Sequence, residues 1–320
     1  MLIGTKGAVD MHREECVEIC NPDGFILRGI LHHGEATKYK KVSLICLNTG
    51  LNDMVGWHRI QVKLSRYLAA NGYNLIRFDD TGIGDSDGEL NEESIVNIFA
   101  DIETGLFVPN ADAAVGFMAR KFPKEKLVFL GFCGGGLTAI HSAANNRVIV
   151  GIIDIGGPIT LSSKEYLNKK DPWEVRKNVM SYRSKIFKIR SWINFFTCKG
   201  DYKTIFRSLI HFVRHKIKGE YEDSLQHKDL NDVANLNRKF FVSFEAYAKS
   251  KRPALFYFAE LDSATWEFKK YFLIKHEHSK IWSDSICEFI EVERANHILS
   301  GSESQKRMKR DILSWLERYF

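Results

Sequence analysis

The sequence predicts an α/β fold: a mostly parallel central sheet flanked by helices, carrying a mostly helical insertion. Short apolar runs of strand length alternate with helical patterns over residues 25–155 and again from 253 onward. The runs are nearly continuous in apolar character, as expected of parallel strands buried on both faces. Between Gly156 and Pro253 the alternation stops, and this aromatic and basic stretch holds no convincing strand. The expected division is a core over 1–156, a helical cap or lid insertion over 157–252, and the second part of the core over 253–320.

Taken in order, strands are expected at Phe25–Leu31, Val42–Leu47, Asn74–Phe78, Leu127–Leu130, Ile149–Ile155, Ala254–Phe258 and Ile286–Val292. Helical patterns cover Trp57–Asn71, which Gly72 would cap, and Ala111–Phe122, which stops before Pro123. Two more cover Leu137–Ala144 and Ser304–Tyr319. In the insertion, Ile205, Leu209, Phe212, Val213 and Ile217 share one face of an amphipathic helix. Sheets of this kind bind ligands outside the carboxyl ends of their strands.

A chain of 320 residues can bury a large core, and 44% hydrophobic with 27% charged residues is ordinary for a globular protein. No stretch approaches the ~20 apolar residues that span a bilayer, so stable membrane insertion is not expected. Met1–Arg13 lacks the apolar core of a signal peptide, and the six cysteines follow no framework spacing. Reduced thiols in a cytoplasmic protein are the expectation. The net charge of +6 is unevenly spread: Thr160–Arg252 holds 21 Lys and Arg against 10 Asp and Glu, near +11, which leaves the remainder near −5. Such a basic region is either a solvated helical surface or a docking face for an acidic partner.

Gly131-Phe132-Cys133-Gly134-Gly135 is the most informative segment. A buried strand turns there into a helix, with small residues two before and two after the apex, which describes a nucleophile elbow. The apex is cysteine where serine is commoner. Ala259-Glu260-Leu261-Asp262 follows the strand Ala254–Phe258, and Glu293-Arg294-Ala295-Asn296-His297 follows the strand Ile286–Val292. Nucleophile, acid and histidine thus come in that chain order, each at the carboxyl end of a strand. Asn48-Thr49-Gly50-Leu51 follows an earlier strand, where an oxyanion-hole donor is expected.

With these motifs the chain resembles the α/β-hydrolase superfamily, specifically its serine aminopeptidase-like branch. Arg77-Phe78-Asp79-Asp80-Thr81-Gly82-Ile83-Gly84-Asp85-Ser86-Asp87-Gly88 resembles that branch's signature after the fourth strand. The same segment with a cysteine elbow is similar to the small hydrolases found with exosortase systems. The likeness covers about 25–155 and 253–320 and leaves the insertion unmatched. It implies a triad of Cys133, His297 and Asp262, with oxyanion-hole N–H groups from Leu51 and Gly134. Thr49 departs from the family, which has histidine there; backbone donors do not depend on that side chain.

In these roles His297 would move the proton and Asp262 would fix its tautomer. Glu260, two residues from Asp262, is a rival for the acid. His211 and His215 have metal-ligand spacing without an accompanying Glu, and His276 and His278 fit an exposed turn. Cys16 and Cys20 are two thiols without further ligands, and Asp79 and Asp85 suit a structural turn. Gly82, Gly84 and Gly88 form no phosphate cradle, so no cofactor is expected. No nucleic-acid module is present. The expected activity is acyl hydrolysis (esterase or thioesterase) through an acyl-cysteine, with acyl carrier protein or coenzyme A as possible carriers. An acyltransferase or cyclase, and a non-catalytic binding protein on the same fold, are the alternatives.

Overall fold

The computed structural model describes residues 14–90, 94–162, 235–273 and 286–320. Eight strands form one sheet: β1 Glu14–Cys20, β2 Ile26–His32, β3 Val42–Leu47, β4 Asn74–Phe78, β5 Lys126–Phe132, β6 Ile149–Ile155, β7 Ala254–Ala259 and β8 Cys287–Val292. Their order is β1-β2-β4-β3-β5-β6-β7-β8. The pairs β1/β2 and β2/β4 are antiparallel, and every later pair is parallel. Seven strands lie where the apolar runs put them. β1 does not come from a run: Glu14, Glu15 and Glu18 alternate with buried Val17 and Ile19, as on an edge strand with one wet face.

The central strands are buried throughout; all six residues of β3 are inaccessible, as are all six of β7. Helices close both faces: α1 Ile60–Ala69, α2 Ile95–Glu103, α3 Val108–Lys121, α4 Gly134–Asn145, α5 Arg238–Ala248, α6 Ser263–Phe268 and α7 Ser302–Tyr319. One apolar cluster joins β3 and β7 residues to Ile60, Leu64 and Leu68 of α1 and to Met308, Ile312, Trp315 and Leu316 of α7. The opposite cluster lies under α3, α4 and α5. Each large side chain fully buried there contributes roughly 1.5–3 kcal/mol.

Two compact units divide the chain, Met1–Leu161 with Asn237–Phe320, and Ser162–Leu236. Residues 157–161 and 237–252 of the expected insertion fall in the first unit of this division. Ile159 is buried in the first unit's core, α5 packs on α4, and its Phe240 and Phe244 meet Phe256, Phe268 and Phe272. In the sequence α5 follows a basic tract and itself opens with Arg238 and Lys239; its buried face, with Phe240, Phe244 and Tyr247, marks it as part of the core. The second unit lies almost wholly outside the described residues, and with it the 205–217 helix, His211 and His215; His276 and His278 also lie outside them. Among the described residues no helix is long and apolar enough to cross a membrane.

Candidate active site

β5 passes into α4 through one residue, Cys133, at φ 50° and ψ −117°. Backbone in this region costs about 1–3 kcal/mol for a residue with a side chain, and persists where the surroundings over-determine it. Here they do. The Cys133 N–H donates to the Ile155 carbonyl at 2.8 Å, and its own carbonyl accepts from the Gly136 N–H at 2.9 Å. A β-carbon at Gly131 would lie 2.2 Å from the Gly135 carbonyl oxygen, and one at Gly135 would lie 2.4 Å from that of Asn48. Neither position can carry a side chain. The turn thereby lifts the Cys133 sulfur to the carboxyl edge of the sheet, half-buried.

Asp262 follows β7 and caps α6, accepting the Ala264 N–H on Oδ1 at 3.1 Å. Its other oxygen, Oδ2, accepts from His297 Nδ1 at 2.6 Å. The carboxylate is thus oriented by its cap and has one oxygen left for the ring. The two loops are also joined through their backbones: the Leu261 N–H donates to the Ala295 carbonyl at 2.8 Å, and the Glu260 N–H to that of Val292 at 3.0 Å. The Glu260 carboxylate accepts the Arg294 N–H at 2.7 Å. The rival acid therefore braces the histidine loop, and Asp262 meets the imidazole.

Asp262 is buried, while 31% of the His297 side chain stays accessible, enough for a reacting group to approach the ring. Burial opposes a charge on that ring. The Asp262 hydrogen bond and the Cys133 sulfur outweigh it and push the pKa up to about 10. Since Nδ1 is held by Asp262, Nε2 is the nitrogen left for the sulfur.

The loop after β3 completes the edge. The Gly50 N–H turns back on the Asn48 carbonyl and the Asn52 N–H on that of Thr49, both at 3.1 Å. No backbone acceptor takes the intervening Leu51 N–H among the described residues. The Gly134 N–H heads α4, where no earlier turn exists to accept it. A β-carbon on Gly134 would lie 3.5 Å from Gly50, so the loop and the elbow are neighbours. Above them α2 presents apolar groups, with Ile102 near Gly134 and Phe99 near Gly50, and Leu51 and Ile98 pack in the same cluster.

Two neighbours of the dyad have no motif to announce them. The Trp57 ring stands edge-on to the His297 ring, with centroids 5.3 Å apart. It is presented by a short turn whose next residues, His58 and Arg59, both have positive φ. A β-carbon at Gly156, after β6, would lie 3.6 Å from both Asp262 and His297. Among the described residues no group of three or more His, Cys, Asp or Glu is gathered in a way that could hold a metal ion. Cys16 and Cys20 are exposed on β1.

No family model and no curated protein matches the chain. Solved structures do. An esterase of Pyrococcus furiosus matches with a TM-score of 0.58 at 16% identity, covering 96% of this chain and 92% of that one. An α/β serine hydrolase without lid from Xanthomonas campestris matches at 0.55 and 12%, covering 96% and 95%. An α/β hydrolase from a Penicillium species matches at 0.55 and 15%, covering 96% and 99%. With the strand order above, these likenesses establish that this chain has the α/β-hydrolase fold.

Proposed function

We propose that the protein is an acyl hydrolase, an esterase or thioesterase, that works through Cys133, His297 and Asp262 by way of an acyl-cysteine. The observation that carries this reading is the 2.6 Å contact between His297 Nδ1 and Asp262 Oδ2, with the sulfur of a strained elbow as the ring's other partner. That solved structures of the same fold are described as esterases supports the reaction class. In the first half-reaction the thiolate attacks the acyl carbon, the bond to the leaving alcohol or thiol breaks, and imidazolium Nε2–H protonates the departing atom. In the second, neutral His297 takes a proton from water, hydroxide displaces the sulfur, and acid, thiolate and imidazolium result. N–H groups of Leu51 and Gly134 are suited to the oxyanion of each tetrahedral intermediate. Ile98, Phe99 and Ile102 supply an apolar wall for the acyl group.

Mixing the protein with a panel of acyl thioesters and activated esters tests this. Intact mass spectrometry should show an acyl adduct that disappears in Cys133→Ala, and absence of any adduct or turnover across the panel defeats the proposal. The same run with an added amine or alcohol distinguishes hydrolysis from transfer or cyclisation, because a thioester intermediate accepts either nucleophile. The concentration of positive charge in 160–252 favours a carrier-bound acyl group on an acidic partner such as acyl carrier protein or coenzyme A. Turnover of carrier-bound substrate should then fall with salt while that of a free acyl thioester does not.

A further inference from the structure

We infer that Arg77 and Asp79 are positioning residues that clamp the oxyanion loop by holding Met54 from both sides. The inference rests on the acyl chemistry proposed above and assigns that site two supporting residues which the chemistry itself does not use. Residues 48–56 between β3 and the Trp57 turn form no helix or strand, and their own hydrogen bonds are short-range turns. Such a segment does not by itself hold an N–H to the few tenths of an ångström that transition-state stabilisation requires.

Met54 is where this loop is tied to the sheet. Its N–H donates to Asp79 Oδ1 at 2.6 Å, and its carbonyl accepts from Arg77 Nη1 at 3.3 Å. Both side chains are buried, at 2% and 6% exposure, which is costly for charged groups unless their bonds are made. They are made. Asp79 Oδ2 accepts the Asp85 N–H at 3.1 Å, and Arg77 Nε donates to His32 Nε2 at 3.0 Å. A β-carbon at Gly84, whose φ is +55°, would lie 2.2 Å from Asp79 Oδ2, so this glycine is the space into which the carboxylate fits. Burial pushes the Asp79 carboxyl up and the Arg77 guanidinium down, and the N–H groups of Asp85 and Met54 pull the former back. Arg77 lies in β4, which pairs with both β2 and β3, so the clamp is fixed to the same sheet as the elbow. Three residues before Met54 stands Leu51.

Asp87, in the same post-strand loop, is the control. It binds Arg28 at 2.6 Å and the Ile26 N–H at 3.2 Å, tying the loop to β2 without touching Met54. Three rates separate the roles: the p-nitrophenol burst from p-nitrophenyl butyrate, alkylation of Cys133 by iodoacetamide, and amide hydrogen exchange over 48–56. Alkylation needs the sulfur and His297 but forms no oxyanion. Asp79→Asn should slow the burst by about 10–100-fold, leave alkylation within about twofold, and raise exchange at Met54 and Asn52, whose N–H groups are hydrogen-bonded. Arg77→Lys, which keeps the buried charge but not the fork, should give the same split. Asp87→Asn should leave all three near wild type.

An unchanged burst in Asp79→Asn overturns the inference. So does equal slowing of burst and alkylation, or equal damage from Asp87→Asn, since each assigns the pair to general stability. If wild type gives no burst and ordinary alkylation, the proposed chemistry fails instead; exchange then decides the clamp alone, and unchanged exchange in both variants ends it.

Discussion

Cys46 and Cys133 stand near the carboxyl ends of neighbouring strands, β3 and β5, and carry the same thiol. Cys46 remains within its strand: it is buried, donates to Gln61 Oε1 at 3.5 Å, and burial pushes its pKa up to about 12. Cys133 sits one residue past the end of its strand, in positive-φ backbone, half-buried and facing His297. The difference teaches that a thiol's surroundings here are set by the turn and by what faces it, not by the residue type. Cys46 has a supporting task nonetheless. Gln61, its acceptor, also donates to the Thr49 hydroxyl at 3.4 Å, which links the inert thiol to the start of the oxyanion loop.

The largest effect should come from exchanging the roles of the two thiols. Cys133→Ala should abolish the acyl adduct and lower turnover of p-nitrophenyl butyrate by more than about 10³-fold, while Cys46→Ala retains both. An adduct that survives Cys133→Ala places the chemistry elsewhere. The acids give the next largest contrast. Asp262→Asn should cost on the order of 10²–10⁴-fold in turnover by unsettling the imidazole tautomer. Glu260→Gln should cost less than about tenfold, with a loss of about 1 kcal/mol in unfolding for its hydrogen bond to the Arg294 N–H. Equal kinetic losses would contradict the division of labour drawn from their contacts.

The effect of pH is smaller and has a definite sign. His297 binds its proton more tightly in the folded protein than at its ordinary value of 6.5, so its contribution to stability is complete below about 6.5. It is lost as pH rises through about 10. The melting-temperature gap between wild type and His297→Gln should therefore narrow between pH 6 and 10, and a gap that widens reverses the assignment. Over the same range iodoacetamide should label Cys133 and leave Cys46 unlabelled. The smallest effect belongs to Cys46→Ala, which should cost about 1 kcal/mol in denaturant unfolding through lost packing and the Gln61 contact.

Most strand positions were legible because burial on both faces of a parallel sheet demands uninterrupted apolar runs, and the runs at β3, β5 and β7 have no other reading. The elbow was legible for a related reason: a one-residue turn between strand and helix excludes side chains at Gly131 and Gly135. β1 and α5 were not. Three glutamates interrupt the first, and the second shares the basic composition of the tract before it, so only the faces they bury distinguish them. Trp57 was read as the opening of a helix; its contact with His297 joins residues 240 positions apart and leaves no local trace.

By itself the sequence determined which side chains stand at the carboxyl ends of the strands, because apolar runs and the turns that stop them are local properties of the chain. It left open which of two carboxylates would meet the imidazole, since Glu260 and Asp262 leave the same strand end. Tertiary structure decided that: the Arg294 N–H takes Glu260, and the Ala264 N–H turns Asp262 toward His297. A hydrogen bond is made or lost within a few tenths of an ångström, and only loops braced against one another across the sheet fix positions that closely.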